Sequence, residues 1–357
     1  MLETLLRKCL KGNQISFGEV EYLLSRTEES ETNQIFAAAR QARQAAFGNK
    51  VFLYGFVYFS TFCQNSCTFC YYRKENANPH RYRKTLREVV AIAEELQKSG
   101  VHLIDLTTGD DPFYTKHPER LASIVKAVKE KTGLTVMVSP GLLDRRGLEL
   151  IQLAGADWFA LYQETHRKAL FTQLRQGQSY EKRMLAKRYA QDLGMLLEEG
   201  LLTGVGDTLQ DRVHSFSEMR QLGAAQIRTM TFIQQEGAPL KGTVNPEYHS
   251  ELMNIAVMRL LFPDELIPAS LDVEGLAGLE KRLMAGANVV TSIIPPEQGF
   301  SGVANCKHDI DEGYRTVAGI QNTLKRCHLE NADTQDYNRW VADRRNADKA
   351  NVRTGCR

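Results

Sequence analysis

The sequence is organised around one stretch, residues 51–70, which reads VFLYGFVYFSTFCQNSCTFC. Its first part, up to residue 59, is mostly β-branched or aromatic, and such a run predicts a buried strand. The loop that follows places Cys63, Cys67 and Cys70 at C-x3-C-x2-C spacing. Three thiolates this close together predict one small metal centre. They can fill three corners of a four-iron cluster and leave the fourth iron without a protein ligand.

Two other uses of these cysteines are disfavoured by spacing. A structural zinc site is almost always closed by four ligands, and the nearest histidine, His80, lies outside the usual fourth-ligand spacings. A disulfide framework is disfavoured because the remaining cysteines are scattered along a long chain. These are Cys9, Cys306, Cys327 and Cys356.

Composition and charge narrow the class of protein. The 357 residues include 45 basic and 43 acidic side chains, and this near balance gives no electrostatic case for nucleic acid. No apolar run reaches the roughly 18 residues of a membrane span, and the charged N-terminus lacks the apolar core of a signal peptide. We therefore expect a cytoplasmic protein, which suits reduced cysteines.

Strand-like and helix-like patterns alternate from the first strand to about residue 300. The predicted strands are 51–59, 101–107, 134–139, 158–162, 201–203, 226–232, 266–271 and 289–293. A helical pattern precedes each strand after the first, which indicates a parallel sheet. Eight such units predict an α/β fold of the (β/α)8 TIM type, with the barrel closed or nearly closed.

The segments on either side of this barrel are expected to be helical. Residues 1–48 show amphipathic patterns, which predict an N-terminal helical extension that caps one end of the barrel. The barrel is assigned to 49–300. Residues 301–357 are assigned to a C-terminal helical and polar extension, and a surface helix with a frayed end is expected there.

The cysteine spacing, with Phe69 directly before the last cysteine, resembles the cluster loop of the radical S-adenosylmethionine (SAM) enzymes. In that family the amino and carboxylate groups of SAM bind the open iron. Reductive cleavage of SAM then gives a 5′-deoxyadenosyl radical that abstracts hydrogen from the substrate. The resemblance implies a [4Fe–4S] cluster, SAM, and an electron donor such as flavodoxin or ferredoxin.

The predicted turn after the second strand resembles the family motif that binds the SAM amino group. Gly109 and Asp110 follow the second strand, and Asp110 replaces the family's usual Glu. The shorter side chain leaves open whether its carboxylate or a backbone carbonyl makes the contact. Taken alone, these residues are equally typical of a polar turn. Ser139 ends the third strand in a tight turn near the expected cluster.

The fourth and fifth strands lead into the rest of the expected SAM site. Glu164, Arg175 and Arg183 resemble the family segment that contacts the ribose and methionine groups of SAM. A carboxylate can accept hydrogen bonds from ribose hydroxyls, and a guanidinium can bind the methionine carboxylate. Glu164 followed by Thr165 is equally typical of a helix cap. Gly204 ends a Gly-x-x-x-Gly run that resembles the adenine-side motif, where glycines allow close backbone approach.

Charged residues on the sixth and seventh strands have two interpretations. Arg228 lies within the sixth strand, and Ser270 and Asp272 end the seventh. Arg228 and Asp272 form either a buried structural ion pair or a site for an amino acid, whose zwitterion needs a cation and an anion close together.

Longer runs resemble one family within the superfamily, the methylornithine synthases of the pyrrolysine pathway. They include FALYQET (159–165), QEGAPL (235–240), IPASLD (267–272) and AGANVVTSI (285–293). The resemblance implies an isomerase that converts L-lysine into (3R)-3-methyl-D-ornithine. By analogy with that family, Asp111, Arg228, Ser270 and Asp272 hold the amino acid.

Two alternatives stay open at this point. One is another radical SAM enzyme of the biotin-synthase and hydrogenase-maturation branch, although the scattered cysteines offer no second cluster-like spacing for sulfur insertion. The other is a non-enzymatic iron–sulfur protein, a class that does not explain eight strand–helix units.

Overall fold

Eight parallel strands form the centre of the part of the chain that the structure describes. The structure is a computed structural model, and it describes residues 1–242, 248–300, 302–303 and 314–353. The strands are β1 (Lys50–Ser60), β2 (Leu103–Thr108), β3 (Thr135–Ser139), β4 (Trp158–Ala160), β5 (Leu196–Thr203), β6 (Gln226–Thr231), β7 (Pro268–Ser270) and β8 (Val289–Ile293). A short β9 (Glu330–Asn331) pairs with the start of β1.

The sheet closes into a nearly complete barrel. The hydrogen-bonded order is β6-β5-β4-β3-β2-β1-β8-β7, with each neighbouring pair parallel. A parallel bridge between Gln226 and Leu266 joins the two outer strands where they begin. Leu266 accepts from the Ile227 amide at 2.9 Å and donates to the Ala225 carbonyl at 3.1 Å. The predicted (β/α)8 TIM-type fold is therefore confirmed.

The helices follow the strands in the expected alternation. They are α1 (Leu2–Leu10), α2 (Phe17–Leu24), α3 (Glu29–Phe47), α4 (Leu86–Ser99), α5 (Pro112–Thr115), α6 (Pro118–Thr132), α7 (Arg145–Leu153), α8 (Lys168–Leu174), α9 (Tyr180–Asp192), α10 (Leu209–Leu222), α11 (Tyr248–Leu261), α12 (Leu279–Met284), α13 (Val317–Arg326) and α14 (Thr334–Arg353), with a 3-10 turn at Gly275–Gly278. Capping boxes at Ser16, Thr85 and Thr208 start α2, α4 and α10, because each hydroxyl satisfies a free backbone amide. No helix in these described segments is long and apolar enough to cross a membrane.

The alternation of side chains along β2 divides the barrel interior from its outer layer. Leu103 packs inside, with residues of the other strands, whereas Ile104 and Leu106 pack outward against the helices. Because successive side chains point to opposite faces of a strand, Asp105 and Thr107 share the inner face with Leu103. A carboxylate therefore stands inside the barrel.

The N-terminal helices lie along the flank of the barrel, which corrects the expectation that they cap an end. Helices α2 and α3 pack on α11, and α2 also packs on α10. The buried Arg43 of α3 donates to the carbonyls of Leu283 at 2.5 Å and Ala287 at 3.1 Å. These bonds fix α3 beside the start of β8. The division of the chain at residues 48 and 300 stays a prediction.

Helix α14 covers the amino-terminal end of the barrel, the role expected of the N-terminal helices. Tyr337 is fully buried, and its hydroxyl lies 3.0 Å from that of Tyr54 in β1. The Trp340 ring stacks on Trp158 of β4 at 6.0 Å between centroids. Arg345 binds the Asp157 carboxylate at 2.9 Å. Helix α14 is therefore not a simple surface helix, because its apolar residues are spaced about one helical turn apart and face the barrel.

Candidate active site

The three motif cysteines lie in a loop at the carboxyl end of β1. Cys67 is buried and Cys63 and Cys70 are partly buried, and all three thiols are free. The loop packs tightly on the turn after β2. A Cβ on Gly109 would lie 2.3 Å from the Phe62 carbonyl oxygen and 3.0 Å from the Cβ of Cys63. Only glycine fits there, so the Gly109 of the predicted motif supports the cysteine loop directly.

Asp110 ties the same loop to the barrel. Its carboxylate accepts from Gln64 Nε2 at 2.8 Å and from Asn65 Nδ2 at 3.0 Å, and its carbonyl accepts from the Gln64 amide at 2.9 Å. Gly141, after β3, lies so close that a Cβ there would be 2.7 Å from the Asp110 carboxyl carbon. The structure places Asp110 against the cysteine loop. Its predicted contact with the SAM amino group stays a prediction.

Arg175 links the cysteine loop to the turn after β4. Its Nη1 lies 3.6 Å from the Cys67 sulfur, and its guanidinium lies 5.3 Å from the centre of the Phe69 ring. Its Nη2 donates to Glu164 at 2.6 Å. Gln178 Nε2 also approaches the Cys67 sulfur, at 3.0 Å. Three predicted SAM-site residues, Phe69, Glu164 and Arg175, therefore meet beside one cysteine.

The turn at Tyr162–Glu164 has an unusual backbone that two arginines hold. Glu164 has a φ of 67°, in the left-handed region that favours glycine. The Tyr162 carbonyl accepts from Arg183 at 2.5 Å and from Arg175 at 2.9 Å. Burial lowers the pKa of Arg183 to about 9, with Arg175 adding to the effect. Burial raises the pKa of Glu164, although both arginines oppose the shift.

A buried ion pair supports this turn from the outer side of β5. Glu199 accepts from the amides of Gln163 at 2.7 Å and Gly200 at 2.8 Å, and it pairs with Lys187. A glutamate facing outward under the turn was not predicted. It fixes the backbone from which Tyr162 and Glu164 project.

Ser139 and Gly204 lie at strand ends, as predicted. Ser139 is the last residue of β3 and stands opposite Thr107 in the sheet. Gly204 directly follows β5 with a φ of 81°, and no atom of the described residues lies within 4 Å of a Cβ placed there. Glycine is therefore favoured at position 204 by the backbone conformation.

A charged group occupies the barrel interior below these turns. Arg228 Nε donates to Glu198 at 2.7 Å, and the Tyr162 hydroxyl donates to the other Glu198 oxygen at 2.8 Å. Burial, and then the charge of Glu198, raise the pKa of Asp105 to about 7. Burial opposes the charge on Arg228, but Glu198 and its neighbours outweigh burial and raise the pKa of Arg228. Asp105, Glu198 and Tyr162 were not predicted as site residues.

Asp272 has a different cationic partner. Arg315 Nη1 lies 3.2 Å from Asp272 Oδ1, and the Asp272 amide donates to the Ser270 hydroxyl at 3.2 Å. Among the described residues no ion pair joins Asp272 to Arg228, so the buried pair considered as one interpretation of the sequence is not formed. Arg315 is buried, and its Nε and Nη2 have no hydrogen-bond partner in the part of the chain that the structure describes.

Asp111 is enclosed by protein partners. Its carboxylate accepts from Arg83 at 2.6 and 3.0 Å, from the Ser60 hydroxyl at 2.6 Å, and from the Phe113 amide at 3.0 Å. It caps α5 and is fully buried. The structure therefore assigns Asp111 a supporting contact, and its predicted contact with substrate stays a prediction.

One cavity connects the cysteine loop with the charged interior. Its volume is about 150 Å³. The lining residues are Phe69, Cys70, Tyr162, Glu164, Gly200, Leu201, Leu202, Arg228, Met230, Thr231, Phe232, Ile233, Gln235 and Val303. Its wall thus includes a cysteine of the loop, a predicted SAM residue and a predicted substrate residue.

Comparison with known proteins agrees with this geometry. Residues 57–219 match the Radical SAM superfamily. Over 330 residues the chain is 42% identical to the 3-methylornithine synthase of Methanosarcina barkeri, an overlap that covers 92% of this chain and 94% of that protein. The chain belongs to the methylornithine synthase family. The match to radical SAM enzymes confirms the predicted superfamily.

Solved and curated relatives extend the same pattern. The crystal structure of a methylornithine synthase superposes with a TM-score of 0.90 at 41% identity, covering 94% of this chain and 99% of that one. The [FeFe] hydrogenase maturase subunit HydE of Thermotoga maritima is 30% identical over 270 residues, which cover 75% of this chain and 77% of that protein.

Radical SAM enzymes use a [4Fe–4S] cluster and SAM, and the residues of this methylornithine synthase family member fit both groups. Three thiols share one loop, and the buried cation of Arg175 lies beside Cys67, where it offsets the negative charge of thiolate ligands. Burial raises the pKa of Cys63 to about 11. Loading with iron must therefore displace a proton from this thiol, as is general for thiolate ligands.

Proposed function

We propose that this chain converts L-lysine into (3R)-3-methyl-D-ornithine, the first step of pyrrolysine biosynthesis. The observation that carries the proposal is a cavity whose wall includes both Cys70 and Arg228. A substrate bound at Arg228 shares that cavity with a cofactor bound at the cysteine loop. The name and extent of the Methanosarcina barkeri relative support the choice of reaction.

Arg228 lines the cavity, and the charges in the barrel interior near Arg228 complement a lysine molecule. Arg228 and Arg315 contribute two cations, and Glu198 and Asp272 contribute two anions. Asp105 adds a third anion when it is ionised, so the group then carries one net negative charge. Lysine at neutral pH carries two ammonium groups and one carboxylate, which is one net positive charge.

The hydrogen bonds of Arg228 suit it to the substrate carboxylate. Glu198 binds its Nε, and Nη1 makes a weak contact with the Met230 sulfur at 3.8 Å. Neither terminal nitrogen has an oxygen partner among the described residues, so both can bind a carboxylate. Asp272 with Ser270 suits one amino group, and Asp105 suits the other. We prefer Asp105 to Asp111 for this contact, because Asp105 faces the barrel interior whereas Asp111 is enclosed by Arg83 and Ser60.

The cofactor residues divide into two groups. Cys63, Cys67 and Cys70 would hold the [4Fe–4S] cluster, and Glu164, Arg175 and Arg183 would hold SAM. When bound, the cluster and SAM supply a 5′-deoxyadenosyl radical that abstracts hydrogen from the substrate. The apolar wall of Leu202, Met230 and Phe232 excludes water from this space, which protects a reactive species from side reactions.

The reaction also requires an electron donor and a reducing environment. We include in the proposal a one-electron donor of the flavodoxin or ferredoxin type. A cytoplasmic location is likewise part of the proposal, because it suits free thiols such as Cys63 and Cys67.

The test is anaerobic incubation of the reconstituted protein with SAM, dithionite and uniformly ¹³C-labelled lysine. Lysine and methylornithine are isomers, so chromatography must separate them before mass spectrometry. We expect a branched product that retains every labelled carbon, and no product from a Cys67→Ala variant or from ornithine. Cleavage of SAM by the wild-type protein without any isomer of lysine would contradict the proposal.

A further inference from the structure

A groove on the outer surface lies directly beside the cysteine loop. It measures about 450 Å³, and its lining includes Gln64, Lys116, Leu142, Arg145, Lys182 and Leu185. We call it the cationic groove. We propose that the cationic groove is the docking site of an acidic protein that donates single electrons. This inference rests on the proposed function, because a reaction that starts by reduction needs such a partner.

The position of the cationic groove favours electron delivery. Gln64 lines it, is exposed, and directly follows Cys63 in the chain. Its side chain is held in place by the 2.8 Å bond to Asp110. A protein seated there is separated from a cysteine of the loop by about one residue of chain, and electron tunnelling falls steeply with distance. The groove is therefore a short route from solvent to the predicted cluster.

The charge of the cationic groove selects an acidic partner. Lys116 and Lys182 are exposed and have no acidic partner among the described residues. Of the groove's other charges, Arg145 pairs with Glu149, and Asp144 caps α7. The lining thus carries three basic side chains and one acidic side chain, and this excess positive charge attracts an anionic surface over several ångströms.

The neighbouring surface extends the same charge. Residues 62–87 contain six basic and one acidic side chain, and the carboxylates of Asp110 and Asp111 lie against them. Six positive and three negative charges leave a local net charge of +3, whereas the whole chain has a net charge of +2. Arg83 lies 3.9 Å from the centre of the Phe62 ring, and Arg120 lies 4.1 Å from that of Phe113. The excess positive charge is thus concentrated around the cysteine loop.

The apolar content of this surface fits a brief contact. Phe113 is 40% exposed and Leu185 is 45% exposed, and each stands among basic residues. Redox partners form small interfaces in which charge steers the encounter and a few apolar residues stabilise it. The surface has both features and does not need the large apolar area of a permanent complex.

The test compares two double variants of the reconstituted holoenzyme. Lys116→Glu/Lys182→Glu reverses the charge of the cationic groove, and Lys11→Glu/Lys325→Glu makes the same change at exposed positions elsewhere. Cluster reduction is followed anaerobically by absorbance, with either reduced flavodoxin, an acidic flavoprotein, or dithionite as the reductant. Dithionite is small and needs no docking surface.

We expect the groove variant to react with flavodoxin at least about tenfold more slowly than wild type at low ionic strength. The difference should shrink in about 1 M salt, where the Debye length is about 3 Å. Dithionite reduction and dithionite-driven turnover should be unchanged, and the control variant should match wild type throughout.

Three results would overturn the inference. They are an unchanged rate with flavodoxin, an equal loss of rate with dithionite, and an equal loss of rate with flavodoxin in the control variant. Failure of the proposed function has a separate signature, since it appears in the wild-type protein as reduction and SAM cleavage with no isomer of lysine.

Discussion

The side chains of Asp105 and Glu198 place two carboxylates inside the barrel, and both raise the pKa of Arg228. The two carboxylates differ in the hydrogen-bond donors that they have. Glu198 accepts hydrogen bonds from Arg228 and Tyr162, whereas the Thr107 hydroxyl at 2.9 Å is the hydrogen-bond partner of Asp105 among the described residues. Asp105 is therefore the carboxylate whose ionisation a bound ammonium group would most affect.

The ionisation of Asp105 predicts a pH dependence. Its pKa in the folded protein is raised to about 7, so it is neutral below that pH and ionised above it. If the ionised form binds a lysine ammonium, kcat/KM for lysine should fall roughly five- to tenfold from pH 7.5 to 6. Asp105→Asn should lower kcat/KM and remove this dependence. A wild-type profile that is flat over this range would contradict the role.

The tight packing around Gly109 predicts that a substitution there lowers iron binding much more than it lowers thermal stability. In Gly109→Ala the new methyl group meets the Phe62 carbonyl at 2.3 Å, so the cysteine loop must move. We expect iron content after reconstitution to fall by about half or more, with a small change in melting temperature because the loop lies outside the main core. Gly18→Ala is the control, since its Cβ has open space in α2. Full iron content in Gly109→Ala would refute the predicted packing constraint.

The sequence marks the motif residues more clearly than the interior ones. The three cysteines and Gly109 stand in short patterns of fixed spacing. The sequence points to Asp111 for substrate binding because Asp111 stands beside Gly109, and that contact stays a prediction, whereas Asp105 is one acid in an apolar run and gives no such signal. Side chains two residues apart in a strand point to the same face. Asp105 is therefore known to face inward once Leu103 is known to face inward.

Among the elements, the turn at Tyr162–Glu164 joins the two halves of the site. Its backbone is held by Arg175 and Arg183 on one side and by Glu199 on the other. Tyr162 then points to Glu198 in the interior, while Glu164 meets Arg175 beside the cysteines. A shift of this turn would therefore affect the SAM and substrate regions together.

Two substitutions distinguish the effect of the backbone conformation of this turn from the effect of the Glu164 charge. Glu164→Gly accommodates a φ of 67° without strain but loses the carboxylate, and Glu164→Gln keeps the shape. We expect both variants to bind SAM about tenfold or more weakly, since a charged hydrogen bond contributes about 1.5–3 kcal/mol. Glu164→Gly should be the more stable of the two to heat. Calorimetry that shows wild-type SAM affinity in both variants would remove Glu164 from the SAM site.

The bounds of β5 show where local patterns fail. The sequence predicted 201–203, whereas the strand begins at Leu196 and includes Glu198 and Glu199. Two consecutive acids are untypical of a buried strand. Here one pairs inward with Arg228 and the other outward with Lys187, and both cations come from other elements. No local pattern in the sequence contains that tertiary pairing.

At the scale of the whole molecule, the two ends of the barrel have separate roles. The carboxyl end carries the cysteine loop and the cavity, and α14 closes the amino end through Tyr337 and Trp340. Eight alternating units were sufficient to predict the barrel. They did not predict which terminal helices cover which end, because that depends on a few apolar residues in a polar helix.

Tyr337 predicts a stability effect without a direct effect on the site. Tyr337→Ala removes a fully buried ring and should lower the free energy of unfolding by about 3–5 kcal/mol. Tyr337→Phe loses the bond to Tyr54 and should cost about 1 kcal/mol. Denaturant unfolding measures both values, and iron content of the folded protein should match wild type. Equal stability of Tyr337→Ala and wild type would show that α14 does not close the barrel in solution.

The most direct test of the shared cavity is deuterium transfer from fully deuterated lysine. The wild-type protein is incubated anaerobically with SAM and dithionite, and mass spectrometry measures deuterium in the 5′-deoxyadenosine and in the isomer of lysine. We expect deuterium in both, because lysine at Arg228 lies in the cavity that Cys70 also lines. Arg228→Lys should still cleave SAM but transfer little deuterium. Unlabelled 5′-deoxyadenosine from the wild-type protein, formed equally with and without lysine, would contradict a lysine site in this cavity.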